Sequence, residues 1–100
     1  MNKYGLLATL QARSGKEAEV EKFLQSAAPL AAAEEGTTTW FAFRLAHDTF
    51  GIFDTFQDEA GRKAHLTGEI AKALFARAEE LFAAAPKVQP LDILAEKLRS

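Results

Sequence analysis

The stretch from Thr37 to Phe56, TTTWFAFRLAHDTFGIFDTF, is the most distinctive part of the chain. It is rich in β-branched and aromatic residues, which fit the pleated, half-buried surface of a sheet. It holds Trp40, five of the eight phenylalanines and one of the two histidines. We therefore predict two antiparallel strands joined by a tight turn at His47-Asp48, although neither turn residue is the usual Gly or Asn.

Both faces of this predicted hairpin are apolar. A two-residue turn pairs Arg44 with Gly51, Phe43 with Ile52, Phe41 with Asp54 and Trp40 with Thr55. One face then carries Phe41, Phe43, Leu45, Phe50, Ile52, Asp54 and Phe56. The other face carries Trp40, Ala42, Arg44, Ala46, Phe53 and Thr55. An antiparallel sheet with one face in water alternates apolar with polar residues, so we expect helices to cover one face and a second copy of the chain to cover the other.

Composition narrows the class of protein. One hundred residues are enough for one domain, which we predict to span residues 1–100. The formal charge is −2 and the basic residues are spread along the chain, so nothing indicates nucleic-acid binding. The chain has no cysteine, which suits a reducing cytoplasm. It shows neither a signal peptide nor an apolar run of the ~20 residues that span a bilayer, so we predict a cytoplasmic protein without a membrane partner.

The segment before the hairpin predicts a strand and a helix. Residues 3–13 alternate as a strand, and Ser14 with Glu17 matches a capping box that starts a helix. Proline inside a helix removes a backbone hydrogen bond, so Pro29 predicts a kink or break near Ala28. Gly36 is the expected stop of the helical tail.

The segment after the hairpin predicts two helices and a last strand. Asp58 can cap a short helix, and Thr67 can cap a longer one that ends before Pro86. Residues 87–98 read as a strand, which Pro90 confines to the edge of a sheet. The resulting order, β-α-β-β-α-β, is the ferredoxin-like α+β plan: a four-stranded antiparallel sheet of order 4-1-3-2 with helices on one face. The other face is bare and apolar, which indicates a homodimer that packs sheet on sheet.

The sequence carries few recognisable chemical motifs. It has no glycine-rich phosphate loop and no H-E-x-x-H, so nucleotide and zinc-protease chemistry lack support. The two histidines lie on different elements, His47 at a turn and His65 on a helix, and a metal site needs several convergent ligands. We therefore predict neither a metal nor another cofactor.

Two ionisable residues stand out. Asp54 lies in the middle of an apolar strand, where a carboxylate is costly unless it is paired or hydrogen-bonded. It is either a structural partner, for example of Arg44, or a member of a binding pocket. His65 lies on the side of the short helix that returns toward the sheet, so it is either a half-exposed helical residue or a general base at a pocket mouth.

The phenylalanines allow two interpretations. Phe23, Phe41, Phe43, Phe56, Phe75 and Phe82 can fill the space between helices and sheet as a closed core. A space lined by Phe can also hold a flat aromatic ligand, with a few polar groups to orient it.

Two stretches of the chain resemble the antibiotic biosynthesis monooxygenase family of dimeric α/β barrels. The first is RSGKEAEVEKFL after the opening strand, and the second is FDTFQDEAGRKAHL. In that family the third strand commonly ends with an acid, one residue and an aromatic, followed by a helix with Ala and then His. Asp54, Phe56 and His65 stand at those positions.

This resemblance implies a homodimer with a pocket in each subunit between helices and sheet. It also implies an oxidoreductase without flavin or metal, in which a base deprotonates a phenolic, quinol-like or polyketide-like aromatic and the anion reduces dioxygen. Asp54 or His65 is then the catalytic base, and Phe41, Phe43, Phe56 and Phe75 are the substrate-binding walls.

Some family positions differ here. The haem-degrading branch needs Asn, Trp and His where this chain has Ala8, Phe56 and Phe75, which excludes haem degradation. The quinol-oxidising branch often has a second His where Glu69 stands. Three hypotheses remain: a cofactor-independent monooxygenase, a non-catalytic ligand-binding or stress-related dimer, and a structural dimer without a pocket.

Overall fold

The computed structural model describes residues 2–99, which form a four-stranded antiparallel sheet with helices packed on one face. The elements are β1 (Tyr4–Gln11), α1 (Glu17–Ala32), β2 (Thr37–Ala46), β3 (Thr49–Phe56), α2 (Glu59–Leu66), α3 (Glu69–Ala76), α4 (Ala78–Leu81) and β4 (Lys87–Asp92). The strand order is β2-β3-β1-β4. This confirms the predicted ferredoxin-like plan, and Pro90 lies on an edge strand as expected.

The core lies between the helices and one face of the sheet. Alternate residues of β1 and β3 project into it because successive side chains of a strand point to opposite faces. The buried cluster contains Ala8, Leu10, Phe50 and Ile52 from the sheet and Val20, Phe23, Leu24 and Leu74 from the helices. Burying each large side chain of this kind stabilises the fold by about 1.5–3 kcal/mol.

The predicted register of the hairpin is wrong by one residue. The turn at His47-Asp48 is present, since Ala46 pairs with Thr49, but Arg44 then pairs with Phe50. Leu45 is therefore an extra residue in β2, a β-bulge that shifts all pairs beyond it. Because a slip of one residue moves side chains to the other face, β2 turns the opposite way from the prediction.

The bulge changes which residues share a face. The helix-covered face combines Trp40, Ala42 and Arg44 of β2 with Phe50, Ile52 and Asp54 of β3. The open face combines Phe41 and Phe43 with Phe53, Gly51 and Leu7.

Helix α1 begins and ends differently from the prediction. Its N-cap is Lys16 and no side chain caps it; the carboxylate of Glu17 instead accepts a hydrogen bond from the backbone N–H of Gly15 at 3.0 Å. The helix continues through Pro29 without a break and ends at Ala32. The carbonyl that Pro29 leaves without a partner belongs to exposed Gln25, where water can satisfy it.

The predicted long helix after Thr67 is divided into α3 and α4 at Arg77, and its N-cap is Gly68 rather than Thr67. The chain leaves α4 at Phe82, which forms a β-bridge with Ala12 at the end of β1. The backbone N–H of Ala83 also donates to the carbonyl of Gln11 at 2.8 Å. These bonds to β1 replace the helical bonds of the residues before Pro86. The final strand ends at Asp92, six residues before the predicted end.

Within residues 2–99, no helix combines the length and the apolar character that a membrane span requires.

Candidate functional site

Asp54 lies on the helix-covered face of β3 and is only 1% exposed. Its neighbours across the sheet are Trp40 on β2 and Leu6 on β1, so the sheet offers it no charged partner. The predicted structural pairing with Arg44 is wrong, because Arg44 instead forms an ion pair with Glu21 of α1. A buried carboxylate in these surroundings requires a donor from the helical layer.

His65 of α2 is that donor. Its Nε2 lies 2.9 Å from Oδ2 of Asp54, and the residue is 9% exposed, so the prediction of a half-exposed helical His is wrong. Asp58 caps α2 as predicted, accepting a hydrogen bond from the backbone N–H of Gly61 at 2.8 Å. The ring of Phe56 lies 5.2 Å from the imidazole, centroid to centroid, and limits its movement on one side.

Glu34 is the third member of the cluster, and it is not among the site residues predicted from the sequence. Its Oε1 lies 2.6 Å from Nδ1 of His65 and accepts a hydrogen bond from the Thr37 hydroxyl at 2.8 Å. Each ring nitrogen of His65 thus faces a carboxylate. The only hint in the sequence is the Glu34-Glu35 pair at the end of α1, which looks like an ordinary solvated helix end.

Close backbone packing brings these residues together. An added Cβ on Gly36 would lie 2.7 Å from the Cα of Gly61, so α2 crosses the chain after α1 at a distance that only two glycines allow. An added Cβ on Gly68 would lie 3.1 Å from Oε2 of Glu34. Gly36 is therefore needed for this close approach and not, as predicted, as the stop of α1.

The charges of the cluster favour protonated His65. Burial lowers the pKa of His65, but the hydrogen bonds and charges of Asp54 and then Glu34 outweigh it, so the pKa is raised above its ordinary value of 6.5. Among residues 2–99, no donor other than Nε2 of His65 lies within hydrogen-bonding distance of Oδ2 of Asp54. This oxygen is free to accept a proton or hydrogen bond from another group.

A small cavity adjoins Asp54 and His65. It has a volume of about 40 Å³, and its lining is otherwise apolar: Leu6, Ala8, Ile52, Leu66, Ala71, Leu74, Phe75 and Val88. This volume holds a few water molecules but not an aromatic ring, since ligand pockets usually measure roughly 300–1,000 Å³. Phe75 and Leu66 are 54% and 43% exposed, so movement of these two side chains is the shortest way to enlarge the space.

A second space lies on the other side of His65. This cleft of about 450 Å³ is open to solvent, and its lining includes Glu34, Glu35, Thr37, His65 and Glu69. His65 thus borders both spaces: the smaller and more enclosed internal cavity, and the larger and more open external cleft. A further groove of about 460 Å³ between α1 and β2 contains neither Asp54 nor His65.

The structure brings together only some of the predicted site residues. Asp54, His65 and Phe75 line the cavity, and Phe56 lies against the His65 ring. Phe41 and Phe43 lie on the open face of the sheet, so the prediction that they wall the same space is wrong. The bulge at Leu45 is the physical reason, because it reverses the facing of β2.

The bulge has the reverse effect on Trp40, which the predicted register places on the face away from Asp54. Trp40 occupies the helix-covered face beside Asp54, and its buried indole N–H has no hydrogen-bond partner among residues 2–99. In the part of the chain that the structure describes, no group of three or more His, Asp or Glu side chains is arranged to hold a metal ion.

Similar solved structures place this geometry in a family. A scan against protein-family models and a search of curated proteins give no match. The whole chain is 50% identical to a protein of unknown function from Nitrosomonas europaea, of which it covers 97% with a TM-score of 0.97. It is 26% identical to a proposed antibiotic biosynthesis monooxygenase from Caulobacter crescentus, with 94% of this chain and 92% of that one covered and a TM-score of 0.79.

The chain is similar to the antibiotic biosynthesis monooxygenase-like proteins in fold and over nearly its whole length. Another proposed antibiotic biosynthesis monooxygenase, from Chloroflexus aurantiacus, is 18% identical, with 94% and 95% of the two chains covered and a TM-score of 0.72. At that identity the likeness shows the fold alone. This likeness in fold confirms the resemblance seen in the sequence.

Proposed function

We propose that this protein is a cofactor-independent monooxygenase that acts on a phenolic, quinol-like or polyketide-like aromatic. The observation that carries the proposal is the Asp54–His65 pair at the polar end of an otherwise apolar cavity. A base of this kind can ionise a phenol, while the apolar walls keep water away from the anion. The similarity to proposed monooxygenases supports the same reaction class.

The reaction balances without an added reductant when the substrate has a CH₂ group activated by the phenolic ring. The base takes the phenolic proton, and the electron-rich anion reduces dioxygen. One oxygen atom then becomes the carbonyl oxygen that replaces the two hydrogens, and the other leaves as water. The electrons come from the substrate carbon, so the protein supplies only binding, proton transfer and exclusion of water.

Dioxygen uptake with anthrone tests this proposal. We expect uptake by the wild type with one atom of ¹⁸O₂ in the ketone, and at least a tenfold loss of kcat in Asp54→Asn and in His65→Ala, since general-base catalysis contributes roughly 10²–10⁴-fold. His47→Ala and Asp48→Asn are matched controls, because both residues lie at the hairpin turn, outside the cluster around His65. Full activity in both site variants contradicts the assigned roles.

The almost wholly apolar lining of the cavity favours a second function, a non-catalytic binding protein for small aromatic molecules. It predicts saturable binding of phenols, measured by calorimetry, with no dioxygen uptake. Turnover with ¹⁸O incorporation excludes it.

We also propose that the protein is a homodimer that packs through the open face of the sheet. Phe41 is 59% exposed there, beside Phe53 and Leu7, and Phe43 extends the apolar surface. Light scattering should give about twice the 10.9 kDa chain mass. Phe41→Asp should yield monomers, whereas Leu30→Asp, on the exposed side of α1, should not; a wild-type monomer at micromolar concentration contradicts the proposal.

We propose a cytoplasmic location, supported by the absence of cysteine. Fractionation of the source cells tests this location. Recovery of the protein outside the cytoplasmic fraction would contradict it.

A further inference from the structure

We propose that Glu34 is the outer end of a proton pathway that leads from the internal cavity through His65 to the external cleft. The inference rests on the proposed function, because it describes how the proton taken from the substrate leaves the site.

The three side chains form a continuous chain of polar atoms. Oδ2 of Asp54 lies 2.9 Å from Nε2 of His65, and Nδ1 of the same ring lies 2.6 Å from Oε1 of Glu34. Exposure rises along this line, from 1% for the Asp54 side chain to 10% for His65 and 21% for Glu34. The order therefore runs from the dry end of the site to the wet end.

The two ends of this line of polar atoms border different spaces. Asp54 and His65 line the internal cavity, where the substrate hydroxyl is expected, and Glu34 does not. Glu34 and His65 line the external cleft, where water can take up a proton, and Asp54 does not. His65 is the only one of the three that borders both spaces, so it is the residue through which a proton must pass.

The transfer balances through the two nitrogens of one imidazole. At a pH above its pKa, His65 is neutral; when its proton lies on Nδ1, toward Glu34, its Nε2 accepts the substrate proton, either directly or by way of Asp54. The Nδ1 proton then passes to Glu34 and from there to water in the cleft. The substrate keeps the electron pair as an anion, and nothing is oxidised or reduced in this step. A proton returned along the same route to the reduced oxygen restores the starting tautomer.

The surroundings of Glu34 fix its position. Its Oε1 is shared by the Thr37 hydroxyl at 2.8 Å, and its Oε2 lies over Gly68, where a Cβ would approach to 3.1 Å. A glutamate held from two sides in this way keeps its contact with Nδ1 of His65. Its neighbour Glu35, in contrast, is exposed to water.

Among residues 2–99, the acidic or basic side chains that contact His65 or line the two spaces beside it are all carboxylates. Asp54 approaches from β3, Glu34 from the segment after α1, and Glu69 of α3 lines the same cleft. The imidazolium formed during the transfer is therefore stabilised, in agreement with the raised pKa of His65.

The test compares Glu34→Gln with Glu35→Gln, which removes the same charge one residue away. Glutamine keeps an acceptor for Thr37 but cannot take a proton. In the substrate-free protein, ¹⁵N NMR should show that Glu34→Gln lowers the His65 titration midpoint by about one pH unit, whereas Glu35→Gln moves it far less. In anthrone turnover, the acid limb of kcat/KM should move to lower pH by the same amount, with kcat reduced at least tenfold and KM little changed.

The outcomes separate this inference from the proposed function. Equal titration shifts in the two variants, or a shifted titration with an unmoved acid limb, overturn the proton pathway in an active enzyme. A wild type without dioxygen uptake overturns the proposed function, and the pathway with it. Equal melting temperatures of the two variants confirm that the comparison does not reflect a fold defect.

Discussion

The two faces of the sheet use the same hairpin for different purposes. On the helix-covered face, Asp54 lies between Trp40 and Leu6 and is 1% exposed. In the next row, on the open face, Phe41 lies beside Phe53 and is 59% exposed. A carboxylate is thus buried while an aromatic ring stays in contact with solvent, the reverse of what burial preferences alone favour.

One inserted residue accounts for this difference. Without the bulge at Leu45, Phe41 would share a face with Asp54, and the buried layer would hold an additional Phe in place of Trp40. The chain thus buries a polar pair and leaves large aromatic rings exposed on the open face of the sheet. In the proposals made above, the buried pair is the functional site and the exposed rings form the dimer interface.

The largest expected effect is a difference in stability between substitutions on the two faces of the sheet. Phe56→Ala should lower the free energy of unfolding by about 3–5 kcal/mol, because Phe56 is fully buried and its loss creates a cavity. Phe41→Ala should cost the subunit fold no more than about 0.5 kcal/mol, as for other exposed positions. Urea denaturation at several protein concentrations measures both, since a dimer contact makes the Phe41 effect concentration-dependent. Equal losses of subunit stability at the two positions would contradict this difference between the two faces.

The second prediction concerns the buried pair. His65→Ala leaves the Asp54 carboxylate without its partner and should destabilise the protein by about 3 kcal/mol. Replacing both residues, as Asp54→Leu with His65→Met, should restore much of that loss, since no buried charge remains. His47→Ala, at an exposed turn, is the control. A double variant as unstable as the sum of its single variants contradicts the account.

The third prediction is a pH dependence. Because the folded-state pKa of His65 is raised, protonation stabilises the fold fully below the unfolded value of 6.5. This stabilisation is lost as the pH rises through the higher folded-state pKa. Urea midpoints should therefore fall across that window in the wild type and fall less in Glu34→Gln. A midpoint that stays constant or rises through the same window speaks against a charged His65 in the folded protein.

The smallest expected effect is on the open face. An added Cβ at Gly51 would lie 2.3 Å from Cζ of Phe43, so the ring must move away from the strand. Gly51→Ala should cost about 1 kcal/mol, in the range known for overpacking. Combining it with Phe43→Ala should remove that cost. If the double variant gains nothing, the Phe43 ring does not lie over Gly51.

Much of the fold follows from local sequence patterns. Alternation and helical spacing predicted the element order, and Pro90 predicted an edge strand. Asp54 and His65 were identifiable because each is an ionisable residue on a side that returns to the core. The shared signal is a polar residue in an apolar pattern.

The rest depends on contacts that local patterns do not contain. The bulge at Leu45 is decided by how β2 packs against its neighbours, and the sequence around it fits either register. Glu34 meets His65 across 31 positions of the chain. Ser14 has the right spacing for a cap, but the turn at Gly15, with a φ of 86°, gives that end of α1 a different geometry.

The most direct test of the central claim is a crystal structure of the protein soaked with hydroquinone. The account predicts a ring in an enlarged cavity, with Phe75 displaced and a hydroxyl oxygen about 2.6–3.2 Å from Asp54 or His65. A ring bound only on the open face beside Phe41, or a cavity that stays closed at saturating hydroquinone, would contradict the claim that this pair is the functional site.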